Sequence, residues 1–138
     1  MTRNMIILIV SFTVILVISV TYLHFFRENK RTPNIYLIPM GYVGWVKIEF
    51  GQRSFPTIEK RNGHYVFEFP LSGKLKISNE DPEYGWAEDE YFYIDSQGKK
   101  VKELQPNVDF FGKNHESRNG LLIEQFFVGN SEEFRNLK

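Results

Sequence analysis

Apolar and polar positions divide the chain into two unequal parts. Residues 5–26 are an uncharged, strongly apolar run of 22 residues, and at about 1.5 Å per helical residue such a run crosses a hydrocarbon core roughly 30 Å thick. Ser11, Thr13, Ser19 and Thr21 interrupt it only mildly, because a hydroxyl bonds back to its own helix's carbonyls. Tyr22, Phe25 and Phe26 suit the aromatic belt of a membrane interface, and Arg27, Lys30 and Arg31 mark the headgroup level. The pattern predicts a transmembrane anchor at residues 1–27, a polar linker at 28–34 and a folded domain at 35–138.

Beyond the linker the period changes to two. Val46, Ile48 and Phe50 alternate with Trp45, Lys47 and Glu49, which predicts a strand over residues 44–50 with the first three side chains in the core. Asn62-Gly63 is a type I′ hairpin signal, since both residues tolerate positive φ, and it joins predicted strands at 54–60 and 64–69. In the second of these Tyr65, Phe67 and Phe69 share one face. Further strands are predicted at 35–38, 74–78, 90–94, 99–104, 107–111 and 121–128, with a hairpin at Ser96-Gln97-Gly98. Asn130-Ser131-Glu132-Glu133 reads as the cap of a short terminal helix. The expected fold is mainly β: an antiparallel β-sandwich of about eight strands with a short C-terminal helix, carried behind a single transmembrane helix.

The apolar run is weighed against a cleavable signal peptide. Secretory apolar regions are shorter, about 7–15 residues, and end in small side chains. Here the exit is Tyr22, Leu23, His24, Phe25, Phe26 and Arg27, so the segment is expected to be retained. With no cysteine in the chain, lipid attachment through a cysteine is excluded. No GxxxG and no intramembrane acid or base points to a partner helix, so contact of residues 5–26 with the bilayer explains the run. Orientation is contested within the sequence. One cation precedes the span (Arg3) and three follow (Arg27, Lys30, Arg31), which favours a cytoplasmic domain. An N-terminal span with a four-residue tail acts as an uncleaved signal anchor, however, and long domains cross regardless of flanking charge. The expectation is a single-pass plasma-membrane protein with an extracytoplasmic domain.

After residue 31 there are 13 Lys plus Arg against 16 Asp plus Glu, a formal charge of −3. No basic cluster interleaves with aromatics, which excludes a nucleic-acid partner. Eighteen of the 22 aromatics lie in this part, enough to close one core of about 100 residues.

Residues 36–50, YLIPMGYVGWVKIEF, resemble a family of uncharacterised bacterial domains of unknown function that open on YLIPxGYxGWVxI. Residues 63–78, GHYVFEFPLSGKLKIS, are similar to that family's hairpin, EYFYI at 90–94 to its acidic-aromatic strand, and Phe127-Val128-Gly129 with Glu132-Glu133-Phe134 to its closing motif. The resemblance covers residues 36–134. Met40 stands where an acid is expected, which argues against a charged site in that loop. The hairpin also loosely resembles peptidase-regulatory-like and transthyretin-like β-sandwiches. The resemblance implies an envelope-facing domain tethered by a helix or a lipid, and it implies no catalytic residues and no cofactor.

Candidate chemistry is sparse. Residues 80–90 carry six acids (Glu80, Asp81, Glu83, Glu88, Asp89, Glu90) and could offer oxygens to calcium, but the EF-hand spacing is missing, so a solvated acidic loop is expected. His64 reads as an exposed strand start and His115 as a loop residue. There is no G-x-S-x-G and no H-E-x-x-H. The aromatics Tyr42, Trp45, Tyr84 and Trp86 form a candidate binding surface for a sugar ring or peptide strand. The expected function is a non-enzymatic envelope binding module whose partner is a wall polymer or a membrane or exported protein. The alternatives are an envelope hydrolase or sugar-processing enzyme, and an inward-facing regulatory domain of a membrane complex. Two converging acids in a cleft, or a buried His–acid pair, would favour the enzyme.

Overall fold

The structure, a computed structural model, describes residues 1–28 and 30–137. The chain falls into two compact units, Met1–Arg31 with Tyr84–Trp86, and Thr32–Glu83 with Ala87–Lys138. The predicted linker at 28–34 includes Asn29, which lies outside the described residues; its last residue, Asn34, opens the first strand.

The first unit holds α1 (Arg3–Glu28). Its apolar side chains are exposed around the full circumference, the distribution expected of a helix solvated by lipid. Its stretch Arg3–Arg27 is long and apolar enough to cross a membrane. The hydroxyls of Ser11, Thr13, Ser19 and Thr21 donate to the carbonyls of Leu8, Ile9, Ile15 and Val17 at 2.8–2.9 Å, so each polar side chain is satisfied within the helix.

The second unit contains β1 (Asn34–Pro39), β2 (Gly44–Glu49), β3 (Lys60–Arg61), β4 (His64–Glu68), β5 (Lys74–Lys76), β6 (Glu90–Ile94), β7 (Lys100–Glu103), β8 (Phe110–Arg118), β9 (Leu121–Val128) and α2 (Ser131–Arg135). They form two sheets, of order β3-β4-β1-β6-β7 and β5-β2-β9-β8. The mainly β, two-sheet architecture is as expected; the wholly antiparallel pairing is corrected. β1 runs parallel to both β4 and β6, and β2 runs parallel to β5. The cause is the path of the chain: β1, β2, the β3–β4 pair, β5, the β6–β7 pair and the β8–β9 pair lie alternately in one sheet and the other. β5 and β6, each reached through the opposite sheet, re-enter their own sheets in the direction of β2 and β1, and β4 does so after the β3 hairpin, the crossover that parallel pairing requires.

The core between the sheets is aromatic. Tyr36 stacks on Phe67 and Tyr91 at 5.5 and 4.6 Å between centroids, and Phe126 from the other sheet meets Tyr36 and Tyr91 edge-on. Offset and edge arrangements of this kind add to the stabilisation from buried area. Val46, Ile48 and Phe50 are buried as the alternation predicts. Asn62 and Gly63 have φ of 49° and 79° and close the β3–β4 hairpin.

Two strands differ from expectation. Residues 54–59 are not a strand: Pro56 has no N–H to give a ladder, and the Asn79 side chain instead accepts from the Ile58 N–H (2.8 Å) and donates to its carbonyl (3.0 Å). The strand expected at 107–111 begins at Phe110 and runs to Arg118, so His115 lies on a strand and not in a loop.

Candidate functional site

The sequence-named aromatics separate. Tyr42 and Trp45 belong to the β unit, Tyr84 and Trp86 to the helix-bearing unit. The Tyr42 hydroxyl donates to the Trp45 carbonyl at 2.8 Å, the Tyr42 carbonyl accepts from the Tyr93 hydroxyl, and the Trp45 ring is packed edge-on by Phe127 and Phe134. These two rings hold the β1–β2 turn and α2 in place. Tyr84 and Trp86 are exposed.

The acidic segment divides too. Glu83 accepts from the Thr32 N–H and the Tyr65 hydroxyl, both at 2.9 Å; burial works against its charge, but these bonds outweigh it and hold the carboxyl below its ordinary value. Asp89 points inward. Among the described residues no three His, Asp or Glu side chains are placed to hold a metal ion.

Asp89 belongs to a polar network set into the aromatic core. Its centre is Glu124, whose side chain is 3% exposed. The Tyr36 hydroxyl donates to one Glu124 oxygen, and Lys113 Nζ lies 3.5 Å from the same atom. The other oxygen is 2.8 Å from His115 Nε2. Lys113 also donates to the Tyr36 and Tyr91 hydroxyls (2.9 and 2.8 Å) and to Asp89 (3.0 Å). The second Asp89 oxygen accepts from the Asn34 N–H, and the Asn34 amide donates to the Tyr36 hydroxyl, each at 2.9 Å. Lys113 Nζ sits 4.5 Å above the Tyr36 ring.

A bulge builds this network. β8 pairs with β9 through Phe111↔Phe127 and next through Asn114↔Gln125, so β8 carries one extra residue there. Gly112, at φ 64°, supplies the left-handed conformation. Phe110 faces the core and Phe111 turns outward onto Phe134. After the bulge, Lys113 and His115 reach the interior face, and the register places His115 opposite Glu124.

Burial penalises the charges of Glu124 and Lys113, yet the partners decide the outcome. Desolvation raises the Glu124 carboxyl, but the His115 bond, the Lys113 charge and the Tyr36 bond outweigh it and hold it below its ordinary value. Desolvation lowers Lys113, and the charge of Glu124 with the neighbouring Tyr91 and Asp89 raises it above its ordinary value. Burial, then Glu124, pushes the Tyr36 phenol well up. At neutral pH the set is therefore Lys⁺, Glu⁻ and neutral Tyr.

Sequence reasoning missed this group. Lys113 and His115 fall in a polar stretch that carries no strand signal. Glu124 did carry one: alternation along LLIEQFFV puts it on the face of Phe126 and Val128, and an acid on a core face demands a buried partner.

Over residues 30–134 the sequence matches a family of unknown function, DUF6843. The chain belongs to that family. The match contains nearly the whole β unit and agrees with the resemblance read from residues 36–134. No curated protein matches the chain. Among solved structures a candidate lipoprotein from Bacillus anthracis, determined at 2.75 Å, is similar, with 19% identity, a TM-score of 0.62, and coverage of 74% of this chain and 73% of that one. At that identity the likeness shows a shared fold. Like the family, it leaves the role of the Lys113–Glu124 network to be argued from its chemistry.

Proposed function

We propose that the chain is a single-pass protein of a bacterial plasma membrane whose helix holds a non-enzymatic binding module on the outer face, where it engages a wall polymer or a membrane or exported protein. The observation that carries the non-enzymatic part is the state of the interior network. A general acid or base is most effective with a pKa near the working pH. The shifts on Glu124, Lys113 and Tyr36 all lead away from neutrality, and each group is engaged by partners from at least two strands. That is the electrostatics of a fixed scaffold. The anchor part is supported by α1, which is apolar over a membrane's thickness.

The test of placement uses the absence of native thiols. Gln97, exposed in the β6–β7 turn, is replaced by cysteine and treated with a membrane-impermeant maleimide in intact cells. Labelling without lysis is expected. Labelling only after lysis would overturn the outward reading and leave the inward-facing regulatory domain, which the three cations after the span favour.

A second reading rests on one specific observation. His115 and the buried Glu124 form a His–carboxylate pair, the orienting half of a hydrolytic triad. A fluorophosphonate probe separates the two: no labelling of the full chain is expected, whereas labelling lost in His115→Ala would establish an activated serine and a hydrolase.

A further inference from the structure

Trp86 and Tyr84 are large aromatics that the fold leaves 56% and 65% exposed. They lie in a three-residue segment, Tyr84–Trp86, that clusters with the helix-bearing unit. The connection is specific. Lys30 and Trp86 form a parallel bridge, the Arg31 N–H donates to the Trp86 carbonyl at 3.1 Å, and Arg31 Nε donates to the Gly85 carbonyl at 3.2 Å. Lys30 Nζ lies 6.0 Å from the centre of the Trp86 ring, within cation–π range. The bonds fasten the segment to residues that follow the end of the apolar stretch Arg3–Arg27 by only three and four positions.

Three features therefore meet within a few residues: an apolar helix that ends in Tyr22, Phe25, Phe26 and Arg27, two basic residues, and two exposed amphipathic rings. Trp and Tyr concentrate where acyl chains give way to headgroups, because one end of each ring system is apolar and the other is polar. Lys and Arg at that depth are drawn to an anionic surface. We infer that Tyr84 and Trp86 are a second membrane contact of this chain, seated with Lys30 and Arg31 at the interface of the anionic bilayer that α1 crosses. The occupant of this aromatic patch is phospholipid.

The inference rests on α1 being a membrane span, and it holds whichever side the β unit occupies, since both leaflets have an interface. Trp45 and Trp86 are the two tryptophans of the chain, so Trp45→Phe leaves Trp86 as the sole reporter. The full chain is reconstituted into phosphatidylglycerol-containing vesicles whose lipids are brominated near the top of the acyl chain. The expected result is co-flotation with the vesicles, blue-shifted Trp86 emission and loss of most of that emission to bromine. Less quenching is expected in purely zwitterionic vesicles, and in Lys30→Gln/Arg31→Gln. Tyr84→Trp in a Trp45→Phe/Trp86→Phe background is the second reporter and should be quenched likewise. Flotation with water-exposed, unquenched emission from both reporters would overturn the contact while leaving the anchor intact. A chain that failed to float would overturn the anchor and the contact together.

Discussion

Glu124 has its two oxygens shared among Tyr36, Lys113 and His115, and Lys113 answers two carboxylates and two phenols at once. Breaking a buried ion pair on one side costs far more than the pair contributes, because the remaining charge is left without solvent or partner. Lys113→Met should therefore lower stability by about 3 kcal/mol, the low end for buried pairs since the Lys113 side chain is 23% exposed. Urea unfolding followed through the near-ultraviolet dichroism of the aromatic core measures it. The same groups set the pH range. Glu124 is depressed in the folded state, so its contribution is present above the ordinary carboxyl value of about 4.3 and is lost as pH falls through the lower folded value. Lys113 and Tyr36 are raised, so theirs are complete below about pH 10 and are lost as pH rises beyond it. A plateau across neutral pH is expected, with Glu124→Gln starting lower and showing a flatter acid arm.

At the level of elements, the bulge in β8 is the device on which the network depends. Gly112→Ala places a Cβ 3.1 Å from the Phe134 ring and in a left-handed backbone conformation, which costs about 1–2 kcal/mol before any repacking. If β8 instead slips by one residue to relieve the strain, Lys113 and His115 turn away from Glu124 and the loss approaches that of Lys113→Met. The unfolding midpoint measures the loss, and the near-ultraviolet signal of Trp45, which packs against the same Phe134, reports the repacking. Elements whose apolar residues alternate were legible in the sequence: β6 and β9 begin and end where the pattern places them, and the Asn62-Gly63 turn closes the expected hairpin. β8 was only partly legible because FFGKNHESR alternates between polar residues of different kinds, so its inward face is marked by charge and not by hydrophobicity. Parallel pairing was illegible for another reason. Alternation fixes which face a residue takes, and direction depends on which sheet the intervening strands join. Of the candidate site, only Glu124 carried a usable signal.

For the whole molecule, attachment to a bilayer rests on the apolar circumference of α1. Alkaline carbonate, which strips proteins held only by charge, should leave the full chain in the membrane pellet, since about 20 apolar residues in a bilayer are not displaced by pH or salt. Recovery in the supernatant would contradict the anchor.

The alternation of strands between sheets also bears on biosynthesis. β9, the last strand, lies between β2 and β8 and carries Glu124, so the four-stranded sheet has no centre until nearly the whole chain has been synthesised. Strands that pair across such separations fold slowly, since loop closure must precede the contacts that reward it. A nascent chain would thus keep this sheet open, with Tyr36 and Lys113 still hydrated, until β9 brings Glu124 to them. The four-stranded sheet is accordingly completed last, and a chain truncated before β9 is expected to lack the two-sheet core, which loss of its near-ultraviolet dichroism would show.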